Sequence, residues 1–326
     1  MTTIPISPAS FQTSDKIASV VYEGLMSRPK WLASWLFYDA AGSRLFDEIT
    51  RIPEYYVTRT ERGILEKCAA EIVARAAGEN ALRIVELGAG SADKTRLLLN
   101  AAAGRQDTVF YEPVDVSASA LVEAQMRIED ELPNVLVCPR VQDYTQDLEL
   151  DPVLPSERRL LLYIGSSIGN FEPGESLLLL ERVRAAMDPG DCFLLGVDLV
   201  KDETVLQAAY DDAERVTAAF NKNILVRLNR ELDADFDPAA FAHEAVWNPT
   251  KSRMEMHLVS RKKQQVWVAG IDLRVEFEAG ESIHTENSYK FTPGAAEALL
   301  KKAGFAPETT WTDERKWFAV VLARAV

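Results

Sequence analysis

The sequence predicts an α/β protein, a Rossmann-like parallel sheet wound in both directions and interrupted by an inserted domain. Three observations carry that prediction. Five strand-like segments alternate with helix-like ones across residues 82–197, and such alternation packs helices on both faces of a parallel sheet. The first strand runs into a tight glycine turn, Glu86-Leu87-Gly88-Ala89-Gly90, followed by a helix-forming segment; open α/β sheets hold cofactors at such carboxyl ends. The rhythm breaks after Val200 and resumes near the C-terminus, so distant residues complete the sheet.

Residues 1–15, rich in Ser, Thr and Pro, read as a loose arm, and 15–26 has the amphipathic spacing of a helix. An aromatic-dense stretch follows: Trp31, Trp35, Phe37, Tyr38, Phe46, Tyr55 and Tyr56. Residues 58–61, Thr-Arg-Thr-Glu, read as a capping box opening a helix through Ala77, with Gly78 as its stop. Strands are expected at 82–87, 108–113, 134–138, 159–164 and 191–197, and helices at 94–103, 118–131 and 173–186. Residues 202–221 read as one helix. Strand-like pieces at 253–259, 264–269 and 273–277 have hairpin alternation. A helix at 293–303, stopped by Gly304, and an apolar strand at 319–323 close the chain. The expected division is a cofactor domain of residues 60–200 plus 289–326, and a substrate domain of residues 1–59 plus 201–288.

Bulk properties narrow the function. With 50 acidic against 36 basic residues and a net charge of −14, the chain lacks the basic face that nucleic-acid phosphates require. Cys68, Cys138 and Cys192 lie far apart without metal-ligand spacing, which points to a reducing compartment. There is no basic-then-apolar leader and no apolar run of about 18 residues. A cytoplasmic, monomeric protein off the membrane and without a metal is therefore expected.

The glycine turn narrows the cofactor. A dinucleotide fingerprint wants a third glycine at position 93, where this chain has Asp93. A carboxylate there repels a pyrophosphate at a helix N-terminus. Glu86 inside the turn suits a cofactor with positive charge and no phosphate, such as S-adenosylmethionine (SAM). Asp115, after the second strand, stands where an acid accepts ribose hydroxyls, a role shared by NAD and SAM enzymes; capping the next helix is its other reading. Asp143 and Tyr144, after the third strand, stand where an adenine would lie, or are a plain loop acid and its neighbour. Residues 165–170, Gly-Ser-Ser-Ile-Gly-Asn, end the fourth strand. Asn170 offers both donor and acceptor to an amino acid's polar head, or is simply a turn asparagine. Tyr38, Phe46, Tyr55 and Tyr56 are core aromatics or ring faces for a cationic nitrogen. Glu286 and Ser288, two apart on an extended segment, share one face and suit a ring nitrogen; a surface strand edge fits the spacing equally. His243, His257 and His284 share no motif.

Taken together, these residues resemble the SAM-dependent histidine Nα-methyltransferases of ergothioneine biosynthesis, from about Trp35 to the C-terminus. The resemblance rests on residues 35–46, 51–61, 86–90 with Lys94 and Thr95, 165–170, 198–202 (Asp-Leu-Val-Lys-Asp), 209–212 (Ala-Tyr-Asp-Asp), 217–221 (Thr-Ala-Ala-Phe-Asn), 229–232 (Asn-Arg-Glu-Leu), Met256, Thr285 and Glu286. It implies a class I methyltransferase fold. It further implies that Gly88, Lys94, Asp115, Asp143 and Tyr144 hold SAM, and that Tyr55, Asn170 and Tyr210 hold the substrate's α-amino and carboxylate groups. Tyr38 and Phe46 would close the pocket, Met256 would line it, and Glu286 with Ser288 would read the imidazole. Tyr38 and Asn170 are the expected catalytic residues. Tyr144 departs from the phenylalanine of many family members, which bears only on the adenine contact. The implied reaction trimethylates the α-amine of L-histidine, giving hercynine and S-adenosylhomocysteine. A methyltransferase for another aromatic amino acid, an NAD-type oxidoreductase and a silent SAM-binding subunit are the competing readings.

Overall fold

The structure, a computed structural model, describes residues 14–326 apart from Ser91 and Asp147. The loose arm expected over residues 1–15 thus lies outside the described residues as far as residue 13, and 14–15 already belong to the helix Ser14–Met26. The central sheet contains β1 (Ala81–Leu87), β2 (Val109–Asp115), β3 (Val135–Val137), β4 (Glu157–Tyr163), β5 (Cys192–Asp198), β6 (Phe305–Thr312) and β7 (Phe318–Ala325), in the order β6-β7-β5-β4-β1-β2-β3. β1 to β5 run parallel, while β7 lies antiparallel to β5 and to β6. The short segment Arg140–Val141 extends the pairing of β2. The parallel run β1 to β5 and the closing strand β7 are those that the sequence predicts. Because the chain leaves β1 in one direction and returns on its other side through β4, a crevice opens at the carboxyl ends of β1 and β4.

Alternate residues of these strands feed two apolar layers. Leu82, Ile84, Leu160, Leu162 and Leu194 face a cluster shared with helix Tyr56–Ala77 and helix Thr95–Ala103. Val85, Leu87, Leu161, Phe193 and Leu195 face helix Pro173–Ala186 and helix Ala295–Lys302. With both faces covered, β5 is buried at every position, as central parallel strands are.

A second sheet pairs Lys30–Trp31, Ser282–Tyr289, Arg253–Ser260 and Phe241–Asn248 in that order, beside a hairpin of Gln264–Val268 and Leu273–Phe277. Three expectations need correction. The helix of residues 56–77 begins at Tyr56, so Thr58 caps nothing; the Glu61 carboxylate accepts from the backbone N–H of Gly165 at 2.9 Å instead of turning back on its own helix. The single helix of residues 202–221 is two, Glu203–Tyr210 and Val216–Glu231. Asp212 breaks it by accepting from the N–H groups of Val216 and Thr217 at 2.9 and 2.8 Å, which caps the second helix. Strands Phe241–Asn248 and β6 were not expected, and β6 is an edge strand whose residues are mostly exposed or half-exposed.

Candidate active site

At the mouth of the crevice lies a solvent-open cavity of about 600 Å³. Its wall contains Tyr38, Phe46, Tyr55, Asn170, Tyr210, Met256, Glu286 and Ser288, so every residue expected to touch substrate comes to one place. They arrive on several different supports. Tyr38 and Phe46 flank the start and middle of helix Ala40–Ile49, whose N-cap Asp39 accepts from Gly42 N–H at 2.7 Å. Asn170 ends the turn after β4, which runs through Gly165 (φ +86°) and Ser166, a non-glycine residue in the left-handed region at φ +64°. That strain is held by the Ser166 hydroxyl, which accepts from Asp198 N–H at 2.9 Å. Gly169 lets the turn approach strand Ser282–Tyr289: a Cβ there would stand 2.7 Å from the Tyr289 carbonyl oxygen. This contact brings the Asn170 amide to Glu286, donating to Oε1 at 3.2 Å.

One wall is aromatic. Tyr38 meets Phe46 edge to face at 5.9 Å, Phe46 meets Tyr55 at 6.2 Å, and Phe220 packs on both Tyr38 and Phe46. Burial pushes the Tyr38 and Tyr55 phenols well above their ordinary pKa, so these rings stay neutral at working pH. The opposite wall is polar. Burial lifts the Glu286 carboxyl to about 7, with Lys290 pulling the other way. Beneath it lies a buried charge network: Asp198 pairs with Lys290 at 2.9 Å and with Lys201 at 2.5 Å, and accepts from the Tyr56 hydroxyl at 2.7 Å.

The five residues expected at the cofactor stand beside this cavity. Gly88, at φ +68°, faces the Tyr144 hydroxyl, which a Cβ would meet at 3.2 Å. Asp115 accepts from Gly90 N–H at 3.1 Å and Ser117 N–H at 2.9 Å; Ser117, not Asp115, caps the next helix. Lys94 pairs with the buried Glu61 and lies against Gly165, where the two groups of residues meet. Asp143 bonds Lys16 at 3.0 Å, and Tyr144 meets Tyr163 edge to face at 5.8 Å. Among the described residues, nothing beyond its chain neighbours lies within 4 Å of where a Gly90 side chain would begin. That open cradle over a glycine turn, with an acid behind it, fits a nucleoside sulfonium.

Glu86 does something else. Its carboxylate turns into the core and accepts from the Thr95 hydroxyl at 2.6 Å and the Tyr111 hydroxyl at 2.5 Å, so it does not face the crevice. Burial lifts its carboxyl from 4.5 to about 7, so the folded chain binds that proton more tightly than the unfolded one. The stability this confers is complete below about pH 4.5 and is lost as pH rises through about 7. Glu86→Gln is expected to flatten the dependence by about 2–3 kcal/mol between about pH 5 and about pH 8. Urea titrations at both pH values read it, and identical slopes for the two proteins would refute it.

Sequence reasoning missed Asp198, Lys290, Phe220 and Glu61 as parts of the site. Lys290 was legible, since alternation from Glu286 through Ser288 reaches it next. Phe220 lies one helical turn beyond Thr217, and both line the cavity. The histidines lie off the cavity wall: the His243 ring is buried between Asn221 and the Tyr210 carbonyl. Among the described residues no group of three or more His, Cys, Asp or Glu could hold a metal, and no helix is long and apolar enough to cross a membrane.

Residues 17–325 match the family described as histidine-specific, SAM-dependent methyltransferases. The chain is 45% identical to the histidine N-alpha-methyltransferase of Mycolicibacterium smegmatis, across 98% of this chain and 99% of that one. It is 44% identical to the protein of the same name from Mycobacterium tuberculosis, across 93% of each. Ergothioneine biosynthesis protein 1 of Schizosaccharomyces pombe is 29% identical across 84% of this chain and 36% of its own length. A glycine crevice at the sheet's switch point, an adjoining cavity with one aromatic and one polar wall and a family match across nearly the whole chain agree: the protein belongs to the histidine-specific, SAM-dependent methyltransferases.

Proposed function

We propose that the protein methylates the α-amino nitrogen of L-histidine three times, giving hercynine, at the opening of ergothioneine biosynthesis. The observation that carries this is one cavity joining Glu286 and Asn170 to a wall of neutral aromatic rings, beside the glycine crevice. When bound, SAM supplies an electrophilic methyl group on a sulfonium. Gly88, Lys94, Asp115, Asp143 and Tyr144 would hold it, with the Asp115 carboxylate on the ribose hydroxyls. Tyr55, Asn170 and Tyr210 orient the α-amino and carboxylate groups, Tyr38 and Phe46 close the cavity, and Met256 packs against the side chain. The substrate domain comprises residues 1–59 and 201–288, the cofactor domain the remainder. The chain acts as a cytoplasmic monomer on the free amino acid.

Positioning dominates the acceleration, because an oriented pair avoids roughly 7–11 kcal/mol of the bimolecular cost at best. Tyr38 and Tyr55 are too far from ionising to serve as phenolate bases. The α-amine of a free amino acid is mostly protonated near neutral pH, because its own carboxylate stabilises the ammonium, so the attacking neutral form is a minority that must shed its proton before each transfer. As methyl groups accumulate the nitrogen loses donors, and the rings of Tyr38, Phe46 and Tyr55 then stabilise its positive charge through their faces. Mass spectrometry of products from SAM and each of the twenty amino acids tests the reading. Histidine should gain three methyl groups; a trimethylated product from another amino acid alone would overturn it.

Asp115→Ala should weaken SAM binding by about 1.5–3 kcal/mol, as for the loss of a charge-assisted hydrogen bond. Calorimetry checks this, and unchanged affinity would remove Asp115 from the ribose.

A further inference from the structure

We infer that Lys290 is a specificity-determining positioning residue: by taking one lone pair of Ser288 while Tyr210 takes the other, it leaves Ser288 only a proton to offer, so the cavity takes a neutral imidazole and rejects imidazolium. The inference rests on the reading of histidine as substrate.

Lysine carries three N–H groups and no acceptor. All three of Lys290 are spoken for in the buried floor of the cavity: Asp198 Oδ2 at 2.9 Å, Tyr210 Oη at 2.8 Å and Ser288 Oγ at 2.8 Å. Burial alone would lower the Lys290 pKa, but Asp198 and Tyr210 outweigh it and hold the ammonium above its ordinary range. Lys290 therefore stays charged, and its donors cannot reverse.

The two hydroxyls also bond each other, with Tyr210 Oη donating to Ser288 Oγ at 2.7 Å. That direction is the favourable one, since a phenol with pKa near ~10 is a far better proton donor than an alkyl alcohol. Serine oxygen has two lone pairs. Lys290 takes one and Tyr210 the other, and the serine proton is left pointing at the cavity. Tyr210 keeps a lone pair for the substrate's amine.

Glu286 offers the opposite polarity two residues earlier on the same strand face. Its Oε1 accepts from Asn170, which leaves the carboxylate room to accept one ring N–H. A neutral imidazole presents one N–H and one bare nitrogen, matching one acceptor and one donor. An imidazolium presents two N–H groups, and the second would meet the Ser288 proton with no lone pair to receive it. An unsatisfied buried donor is costly. Net charge does not decide the ring state, because Glu286, whose carboxyl burial lifts to about 7, offsets the one excess positive charge that Lys201, Asp198 and Lys290 carry under the ring site; the hydrogen-bond polarity of Ser288 does. The neighbouring Tyr38, Tyr55 and Tyr56 are kept neutral by burial and add none.

Nitrogen-15 NMR of ring-labelled histidine, bound together with S-adenosylhomocysteine, counts the ring protons directly. In the wild type, one protonated and one bare nitrogen are expected from about pH 8 down to about pH 6, although free histidine takes its second proton near ~6.5. Lys290→Met returns a lone pair to Ser288, so the bound ring should accept its second proton about tenfold more readily, a rise of about one pKa unit. Lys290→Arg, which keeps charge and donors, should restore the wild-type spectrum. Ser288→Ala keeps the Lys290 charge and should weaken histidine binding without a second ring proton. A doubly protonated ring in the wild type at about pH 7 overturns the inference and leaves the histidine reading standing. So does a Lys290→Met ring that titrates like the wild type. Absence of saturable histidine binding by the wild type removes both. Should Lys290→Met fail to fold, the wild-type spectrum decides the ring state and Tyr210→Phe, which frees the other Ser288 lone pair, takes its place with the same rise expected; a ring that titrates like the wild type there overturns the inference.

Discussion

Glu286→Ala is expected to lower kcat/KM on histidine by about 10²–10⁴-fold and to narrow the preference over tryptophan and phenylalanine. A site built to hydrogen-bond its substrate rejects analogues lacking the group by up to ~10⁴–10⁵. Glu286 is the partner whose removal dismantles that discrimination. Its carboxylate stands in the cavity wall with Asn170 on one oxygen, and alanine leaves both the ring N–H and the Asn170 amide without an acceptor. An indole or phenyl ring loses less, because it had less to gain from a carboxylate. SAM affinity should hold within about twofold, since Glu286 stands on the second sheet and the glycine turn on the first. Steady-state kinetics with the three amino acids and calorimetry with SAM separate these effects. If the variant keeps its histidine preference, the imidazole is read elsewhere.

Much of this site was legible because it follows periodicities the chain cannot hide. Five parallel strands announced themselves as alternating apolar segments, and their carboxyl ends placed Gly88, Asp115 and Asn170 on one edge of the sheet. Period two put Glu286 and Ser288 on one face, and one more step reaches Lys290. The same rule, applied to β1, warns against assigning Glu86 to a ligand: it faces away from Val85 and Leu87, toward Thr95 and Tyr111. Other parts depend on partners remote in sequence. Glu61 fits the capping-box pattern at residues 58–61, yet its carboxylate serves Gly165, 104 residues on. No local signal records that bond. Strand β6 was hidden because an exposed edge strand needs few apolar residues, and its wide-spaced Phe305 and Trp311 do not alternate.

Asp198→Ala should destabilise the fold by about 3–5 kcal/mol, the usual cost of stripping the counter-charge from a buried ion pair. Here one carboxylate serves two ammonium groups and a phenol: Lys201, Lys290 and Tyr56. The side chains of Asp198 and Lys290 are at most 1% exposed and that of Lys201 3% exposed, so water cannot take over. Asp198→Asn keeps the shape and two acceptor lone pairs and should cost less, while Lys201→Met added to Asp198→Ala should recover part of the loss by removing one orphaned charge. The pH dependence distinguishes charge from packing. Burial already pulls Lys201 down to about 8, with Asp198 opposing it. A group whose pKa is lowered on folding gains stability as pH rises through the folded value. Without Asp198 that value falls further, so the deficit of Asp198→Ala should shrink on going from about pH 7 to about pH 9, as Lys201 folds uncharged. Denaturant titrations of the four proteins across that range measure it. A deficit that stays constant with pH would mean that lost packing, and not unpaired charge, is what the aspartate prevents. Because Lys290 also holds Tyr210 and Ser288, the folded Asp198→Ala fraction should bind histidine more weakly as well, tying the stability of this network to the reading of the substrate.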